Sequence, residues 1–161
     1  MYSLNFMCYH GEMNAEDKPH AAYVAGIIDG EGSLTIGVNK QRSWKSPHYQ
    51  VEIFVTMTCQ STIEALHTFH PGASGSQYKN HPKWKEQFRW IVCGRSALAV
   101  LLQVLPYLIC KKRQAELLIE MQQSKINPIT QATGRKGLPD TVNRRREEIV
   151  SELRKLNKRG H

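Results

Sequence analysis

Residues 23 to 33 read YVAGIIDGEGS, a stretch with both a buried and a charged character. The apolar side chains of Val24 and Ile28 suit a protein interior, whereas the two carboxylates that follow suit a surface or a site. Gly26 and Gly30 lie four residues apart, on one face of a predicted helix. Because glycine has no Cβ, this face allows another backbone to approach closely, either within the chain or from a second copy across a symmetry axis.

The charge balance indicates the class of partner. The chain has 161 residues, enough for one domain with a substantial core, and its formal net charge is +8. From Lys111 onward, basic residues outnumber acidic ones by seven. This surplus favours an anionic partner, most commonly nucleic acid, over the alternative of a merely basic soluble domain.

The sequence lacks the patterns of zinc-binding, membrane-spanning and secreted proteins. Its four cysteines lie far apart without a C-x-x-C pair, which indicates free thiols in a reducing compartment. No apolar run is long enough to span a membrane, and the first residues lack the basic and apolar regions of a secretory signal. We expect a soluble intracellular protein, with residues 1–18 poorly ordered and residues 19–161 forming a single domain.

Apolar residues recur at helical spacing in five segments. The predicted helices cover residues 19–29, 61–70, 95–108, 110–124 and 140–157. The fourth helix begins with the basic turn CKKR, which opposes the helix dipole, so we expect an anionic group to compensate there. The fifth helix carries NRRREE opposite its apolar stripe, and we expect Arg144, Arg145 and Arg146 to contact phosphates. The alternative is a solvated face in which these arginines pair with Glu147 and Glu148.

After Gly32 the hydrophobic period changes from helical to alternating, which predicts β-strands. Residues 34–38 alternate between apolar and polar or small side chains, and residues 50–58 do the same. Two more strands are predicted over residues 76–80 and 87–93. Each long strand therefore has an apolar face and a polar face, with Phe54 as an exception on the polar face.

Two segments carry a family resemblance. Residues 24 to 32, VAGIIDGEG, resemble the LAGLIDADG motif of homing endonucleases, and residues 105 to 120, LPYLICKKRQAELLIE, resemble a later helix of the members with a single motif. The order of the elements also matches, and the resemblance covers residues 19 to 123. It implies an α+β fold with the order αββαββα, in which a four-stranded antiparallel sheet forms a DNA-binding saddle and the helices pack on its other face.

The resemblance implies a site-specific endonuclease of double-stranded DNA, encoded within an intron. Members with one motif are homodimers that act on a long, nearly palindromic target, and they use Mg²⁺ to hydrolyse phosphodiester bonds, leaving short 3′ overhangs. Two alternatives keep the same fold. One is a maturase that binds intron RNA, which nothing in the sequence excludes, and the other is a DNA-binding regulator without cleavage, against which Glu31 and Lys111 argue.

The resemblance also implies site residues. Glu31 aligns with the acid that reaches the scissile phosphate, and its carboxylate beside the Gly30 carbonyl offers hard oxygen ligands for Mg²⁺. Lys111 aligns with the catalytic lysine, whose ammonium stabilises charge on the phosphate. The family often has a glutamine at the end of the second strand, where this sequence has Cys59 followed by Gln60, so Gln60 is the candidate here.

A dimer is implied because only one motif is present. In the family, the motif helix packs against its counterpart, so the predicted interface comprises Val24, Ala25, Gly26, Asp29 and Gly30. By the same resemblance, Asp29 braces the end of the helix.

Polar side chains on the strands and basic side chains near them are the predicted DNA contacts, because amides and hydroxyls suit base edges and cations suit phosphates. From the first strand pair they are Thr35, Gly37, Asn39, Gln50, Glu52 and Thr56, with Gln41, Arg42, Ser43, Trp44 and Lys45 in the turn. From the second pair they are Tyr78, Asn80, Gln87 and Arg89, and the basic turn adds Lys112 and Arg113.

Overall fold

A computed structural model describes residues 17–40, 42, 46–71, 73–78, 85–126 and 138–158. The chain forms α1 (Asp17–Glu31), β1 (Gly32–Asn39), β2 (His48–Met57), α2 (Gln60–Phe69), β3 (Ser74–Tyr78), β4 (Gln87–Cys93), α3 (Gly94–Val104), a 3₁₀ turn (Leu105–Tyr107), α4 (Lys112–Ile126) and α5 (Asp140–Asn157). The predicted order αββαββα followed by further helices is confirmed.

The four strands form one antiparallel sheet in the order β1-β2-β4-β3. Its register places Gly32 opposite Val55 and Val55 opposite Trp90. Because side chains alternate across a strand, the pairing sends every second residue to the helical side of the sheet. The predicted α+β fold with a four-stranded antiparallel sheet is therefore confirmed.

The core lies between the helices and one face of the sheet. Leu34, Val51, Ile53 and Val55 are buried there, and Trp90 is fully buried among them. The helices contribute a second set of buried side chains, which includes Val24, Ile28, Leu66, Leu101, Leu117, Leu118 and Ile149. Burial of this apolar area is the main source of stability, and it leaves the other face of the sheet open.

The passage from α1 to β1 explains one glycine of the opening stretch. A Cβ atom at Gly32 would lie 2.6 Å from the backbone oxygen of Ile28, which is closer than non-bonded atoms approach. Glycine therefore allows the chain to leave the helix and enter the strand at once. The helix is longer than the predicted 19–29, since it begins at Asp17 and ends at Glu31.

The final helix corrects one prediction. Arg146 does not face outward with its neighbours, because it is only 5% exposed and its guanidinium donates to the hydroxyl and the carbonyl oxygen of Ser124. Arg145 is exposed but forms salt bridges with Glu120 and Glu148. These arginines thus join α5 to α4, and the prediction that Arg146 contacts phosphate is wrong.

The structure tests only part of the predicted division into an N-terminal segment and a single domain. Residues 1–16 lie outside the described residues, whereas Asp17 and Lys18 belong to α1 rather than to a poorly ordered segment. The single domain over residues 19–161 stays a prediction. Within the described parts of the chain, no helix has the length and apolar character needed to cross a membrane.

Candidate active site

Glu31 is the last residue of α1 and its side chain is exposed. The backbone continues directly into β1, so the carboxylate lies where the helical layer meets the edge of the open sheet face. An exposed carboxylate at a helix C-terminus receives no help from the helix dipole. The exposure of this carboxylate leaves it accessible to a ligand at the end of the sheet.

Asp29 ties the end of α1 to the start of α4. Its carboxylate accepts hydrogen bonds from the backbone N–H groups of Ile109 (2.7 Å), Cys110 (3.2 Å) and Lys111 (2.9 Å). Burial raises the pKa of Asp29, but the hydrogen bonds from these three amides outweigh it, so the pKa is lowered from its ordinary value. Asp29 is therefore the anionic group that the basic first turn of α4 predicted.

Lys111 is held at the same junction. Besides the backbone hydrogen bond to Asp29, its ammonium Nζ donates to the backbone oxygen of Asp29. A cation is favourable beside the carbonyl groups at a helix C-terminus. The structure thus places Lys111 against Asp29, which is two residues before Glu31 in α1. In the sequence, 80 positions separate Lys111 from Glu31.

The two basic residues after Lys111 have different surroundings. Lys112 is exposed at the start of α4. Arg113 forms salt bridges with Glu116 (3.2 Å) and with Glu152 of α5 (2.8 Å). Arg113 therefore links two helices, and Lys112 is the better placed of the two for an anionic ligand.

Cys59, which the sequence register placed at the end of the second strand, lies two residues beyond that end. Strand β2 ends at Met57, Cys59 precedes α2, and Gln60 is the first residue of that helix. The side-chain amide of Gln60 donates to Glu64 at 2.8 Å. Hydrogen bonds with the hydroxyls of Ser61 and Thr62 lower the pKa of the Cys59 thiol to about 7. Cys59 and Gln60 therefore both lie at the start of α2, and a water-positioning role for Gln60 stays a prediction.

The donors at the α1 terminus fit a hard cation in kind but not in number. Carboxylate and backbone carbonyl oxygens, as Glu31 and Gly30 offer them, are the ligands that Mg²⁺ prefers. Across the described residues, no group of three or more His, Cys, Asp or Glu side chains could hold a metal ion. Mg²⁺ usually keeps several waters and takes ligands from substrate phosphates, so one protein carboxylate per chain is compatible with it.

The open face of the sheet carries the predicted polar residues of β1 and β2. Thr35 lies opposite Glu52, Gly37 opposite Gln50, and Asn39 opposite His48. On β2 they alternate with buried core residues, and on β1 they alternate with the buried Leu34 and the partly buried Ile36 and Val38, so their side chains are directed away from the helices. This surface is a row of hydroxyl, amide and carboxylate groups beside the Glu31 terminus.

The second strand pair extends this surface. Arg89 lies opposite Thr56 and donates to its hydroxyl at 3.3 Å. Gln87 shares the face of Arg89, and Tyr78 is opposite Gln87 in the register. Arg42 is exposed in the turn after β1. The other predicted contacts, Gln41, Ser43, Trp44, Lys45 and Asn80, lie outside the described residues.

The exposed face of α1 differs from the predicted interface. Val24 and Ala25 are fully buried in the core of their own chain, so they cannot contact a partner, and that part of the prediction is wrong. Gly26 and Gly30 are exposed, and no described atom lies within 4 Å of a Cβ built on either. The intrachain alternative for the glycine face is therefore not observed among the described residues.

Apolar side chains accompany these glycines. Tyr23 is 45% exposed and lies at helical spacing from Gly26 and Gly30. Ile109, which precedes α4, donates its backbone N–H to Asp29 near the carboxyl end of α1, and its side chain is 87% exposed. The positions 19, 22, 23, 26 and 30 share this stripe, a spacing that was available in the sequence.

A basic groove beside β1 is a feature that the sequence patterns did not predict. Lys40 follows β1, and Arg154, Lys155 and Lys158 lie at the end of α5; together they line the groove. The amide of Asn157 donates to the backbone oxygen of Leu34 at 2.9 Å and holds α5 against the edge strand. Lys40 and the basic residues of α5 are far apart in the sequence, and only the tertiary structure brings them together.

Comparison with protein-family models and with curated protein sequences found no match. Comparison with solved structures found several of the same fold. The homing endonuclease I-CvuI in complex with its target, in the presence of Ca, has a TM-score of 0.72 at 17% identity, over 91% of this chain and 87% of that chain. The archaeal intron-encoded homing endonuclease I-Vdi141I complexed with DNA has a TM-score of 0.72 at 17% identity, over 90% of this chain and 88% of that one.

A longer structure matches over part of its length. The I-SmaMI LAGLIDADG homing endonuclease bound to cleaved DNA has a TM-score of 0.60 at 22% identity, and the match covers 94% of this chain but 46% of that chain. These similarities confirm the fold that the sequence resemblance implied.

Proposed function

We propose that this chain, which has the fold of the LAGLIDADG homing endonucleases, is a site-specific, Mg²⁺-dependent endonuclease of double-stranded DNA that acts as a homodimer. The observation that carries the proposal is the hydrogen-bonded junction at Asp29. It holds Lys111 beside the α1 terminus that presents Glu31, next to an open sheet face of polar side chains.

The roles of the two residues follow from their chemistry. The Glu31 carboxylate would hold the cation, and it would orient the attacking water by accepting a hydrogen bond from it. The Lys111 ammonium stabilises the negative charge that develops on the phosphate oxygens. When bound, Mg²⁺ supplies a Lewis acid that neutralises the phosphate and lowers the pKa of a bound water.

The second copy is proposed to pack on the stripe of α1 that contains Tyr23, Gly26 and Gly30. These glycines allow two helices to approach closely, and the exposed Tyr23 and Ile109 supply apolar surface. The match to less than half of the I-SmaMI chain supports a unit completed by a second copy. An interface with a twofold axis is isologous, which means that both copies use the same surface. The Glu31 carboxylates of the two copies are then equivalent, and each reaches one strand of the duplex.

DNA is proposed to lie along the open face of the sheet. The hydroxyl and amide groups of Thr35, Asn39 and Gln50 suit base edges in the major groove. The groove lined by Lys40, Arg154, Lys155 and Lys158 also contains Val38 and Tyr49, so it opens on the helical side of the sheet at its β1 edge. A phosphate backbone is proposed to reach these cations around that edge. A twofold assembly of this kind reads a long, nearly palindromic target. Encoding within an intron, 3′ overhangs and intron RNA as a partner stay predictions from the sequence.

Selection from a random duplex library, followed by cleavage with and without Mg²⁺, tests this function. The Glu31→Gln variant should bind the selected target and lose about 100-fold or more in cleavage rate, since the carboxylate charge disappears while the shape is kept. Glu148→Gln, a change of the same kind on the outer side of α5, is the control and should cleave normally. Cleavage by Glu31→Gln at the wild-type rate would exclude the proposed centre.

A further inference from the structure

Two apolar side chains interrupt the polar face of the sheet. Phe54 of β2 and Ile91 of β4 are directly opposed in the register, between Ser33 on β1 and Ser74 on β3. Both are half-buried, and neither belongs to the hydrophobic core or to the partly buried residues packed against it. Opposed residues have Cβ atoms about 5 Å apart, so the two side chains form one apolar contact surface.

The neighbouring residues indicate what covers this surface. Thr56 and Arg89 form the next row of the open face on one side, and Thr35 and Glu52 lie on the other side. A protein partner would have to cover these polar and charged groups together with the apolar pair. The major groove of DNA offers a better match, because hydrogen-bonding base edges lie there beside the apolar methyl group of thymine.

The position of the pair along the sheet indicates which base pairs it faces. Ser33, which pairs with Phe54, is two residues beyond Glu31, or about 7 Å along an extended strand. By contrast, the row of Asn39 and His48 is at the far end of β1. Phe54 and Ile91 therefore face base pairs close to the cleaved bonds, if the duplex follows the strands from the catalytic terminus outward.

We propose that Phe54 and Ile91 form a specificity site for the 5-methyl group of thymine in the part of each half-site nearest the cleavage centre. This inference rests on the proposed DNA endonuclease function. The polar neighbours would read hydrogen-bonding groups, whereas this pair favours a methyl group by burying it. Removal of one buried methyl group should weaken binding about fourfold.

The experiment uses the full-length protein and the target selected from a random duplex library. Each thymine of the half-site is replaced in turn by deoxyuracil, which removes only the methyl group, and the dissociation constant and the cleavage rate are measured. Deoxyuracil at one central position should weaken binding about fourfold, since Phe54 and Ile91 then have no methyl group to bury. The doubly substituted protein Phe54→Thr/Ile91→Thr should bind thymine and deoxyuracil targets alike.

Gln50→Ala is the matched control, because Gln50 lies on the same face in a distal row. It should weaken binding of the thymine and deoxyuracil targets by the same factor and leave their ratio of about fourfold intact. The inference is overturned if the selected target has no central thymine, if the wild-type protein binds the thymine and deoxyuracil targets with equal affinity, or if the double variant still discriminates between them. Failure to select or cut any duplex would overturn the proposed function, and this inference with it.

Discussion

Substitution of Asp29 by Asn tests whether the hydrogen bonds between α1 and the start of α4 hold the candidate active site together. The carboxylate accepts three backbone hydrogen bonds at 2.7–3.2 Å, and hydrogen bonds to charged groups are worth about 1.5–3 kcal/mol each when fully desolvated. Asp29 is only partly buried, so we discount this sum for solvent screening. Asparagine keeps one acceptor oxygen but turns an NH₂ group toward backbone donors. We expect the variant to lose about 2 kcal/mol in the free energy of unfolding.

The pH dependence of this loss has a definite sign. Because the pKa of Asp29 is lowered in the folded protein, its contribution is fully present above its unfolded pKa, for which the ordinary value is 3.8. The contribution disappears as the pH falls through the lower folded pKa. The stability difference between the wild-type protein and Asp29→Asn should therefore be largest near neutral pH and shrink in acid.

Urea denaturation at neutral pH and in acid measures this difference, and thermal unfolding should show a fall of about 4–8 °C at neutral pH. Asp140→Asn is the control, since Asp140 is an exposed acid in the first turn of α5 and should cost at most about 1 kcal/mol. A loss below about 0.5 kcal/mol for Asp29→Asn, or an equal loss at both pH values, would refute the reasoning.

Three further substitutions test separate parts of the structure. Gly32→Ala should cost about 2 kcal/mol or more in urea denaturation, because its Cβ would overlap the α1 backbone; a loss no larger than that of an exposed helix position would contradict the close approach. Gly26→Leu should leave the fold intact yet convert a dimer to monomers in analytical ultracentrifugation, and an unchanged dimer would place the interface elsewhere. Lys155→Ala/Lys158→Ala should make the fall of the log binding constant with log salt less steep, by about 0.9 for each phosphate that is no longer neutralised. Arg145→Ala should leave this slope unchanged, because Arg145 already pairs with Glu120 and Glu148.

Local patterns in the sequence were sufficient for the elements and for the layer arrangement. The alternation that begins after Gly32 correctly predicted which side of β1 and β2 is buried, because a strand with one solvated face must repeat every two residues. The basic turn before α4 correctly predicted a nearby anion, since a cationic helix N-terminus needs compensation. Both predictions depend only on neighbours along the chain.

The limits of prediction lie in side chains whose partners are distant in sequence. Of three consecutive arginines in α5, Arg146 is buried against Ser124 while Arg145 pairs with Glu120. Helical periodicity separates them, because Arg146 lies four residues after Val142 and three before Ile149, on the apolar stripe of α5. Its partner Ser124 depends on how α5 packs on α4, which the sequence of α5 does not contain. Val24 and Ala25 likewise share the helical spacing of the buried Ala21 and Ile28, which sets them on a different face from Gly26 and Gly30.

The sequence by itself determined a helix with a glycine face that ends in an acid, followed by a sheet with one polar side, because periodicity and the lack of a Cβ are local properties. The tertiary structure alone decided that Asp29 holds Lys111 beside this helix end and that Phe54 meets Ile91 on the polar face. The physical reason is the same for both contacts. Each joins residues from elements far apart in the chain, and their meeting depends on how the whole core packs.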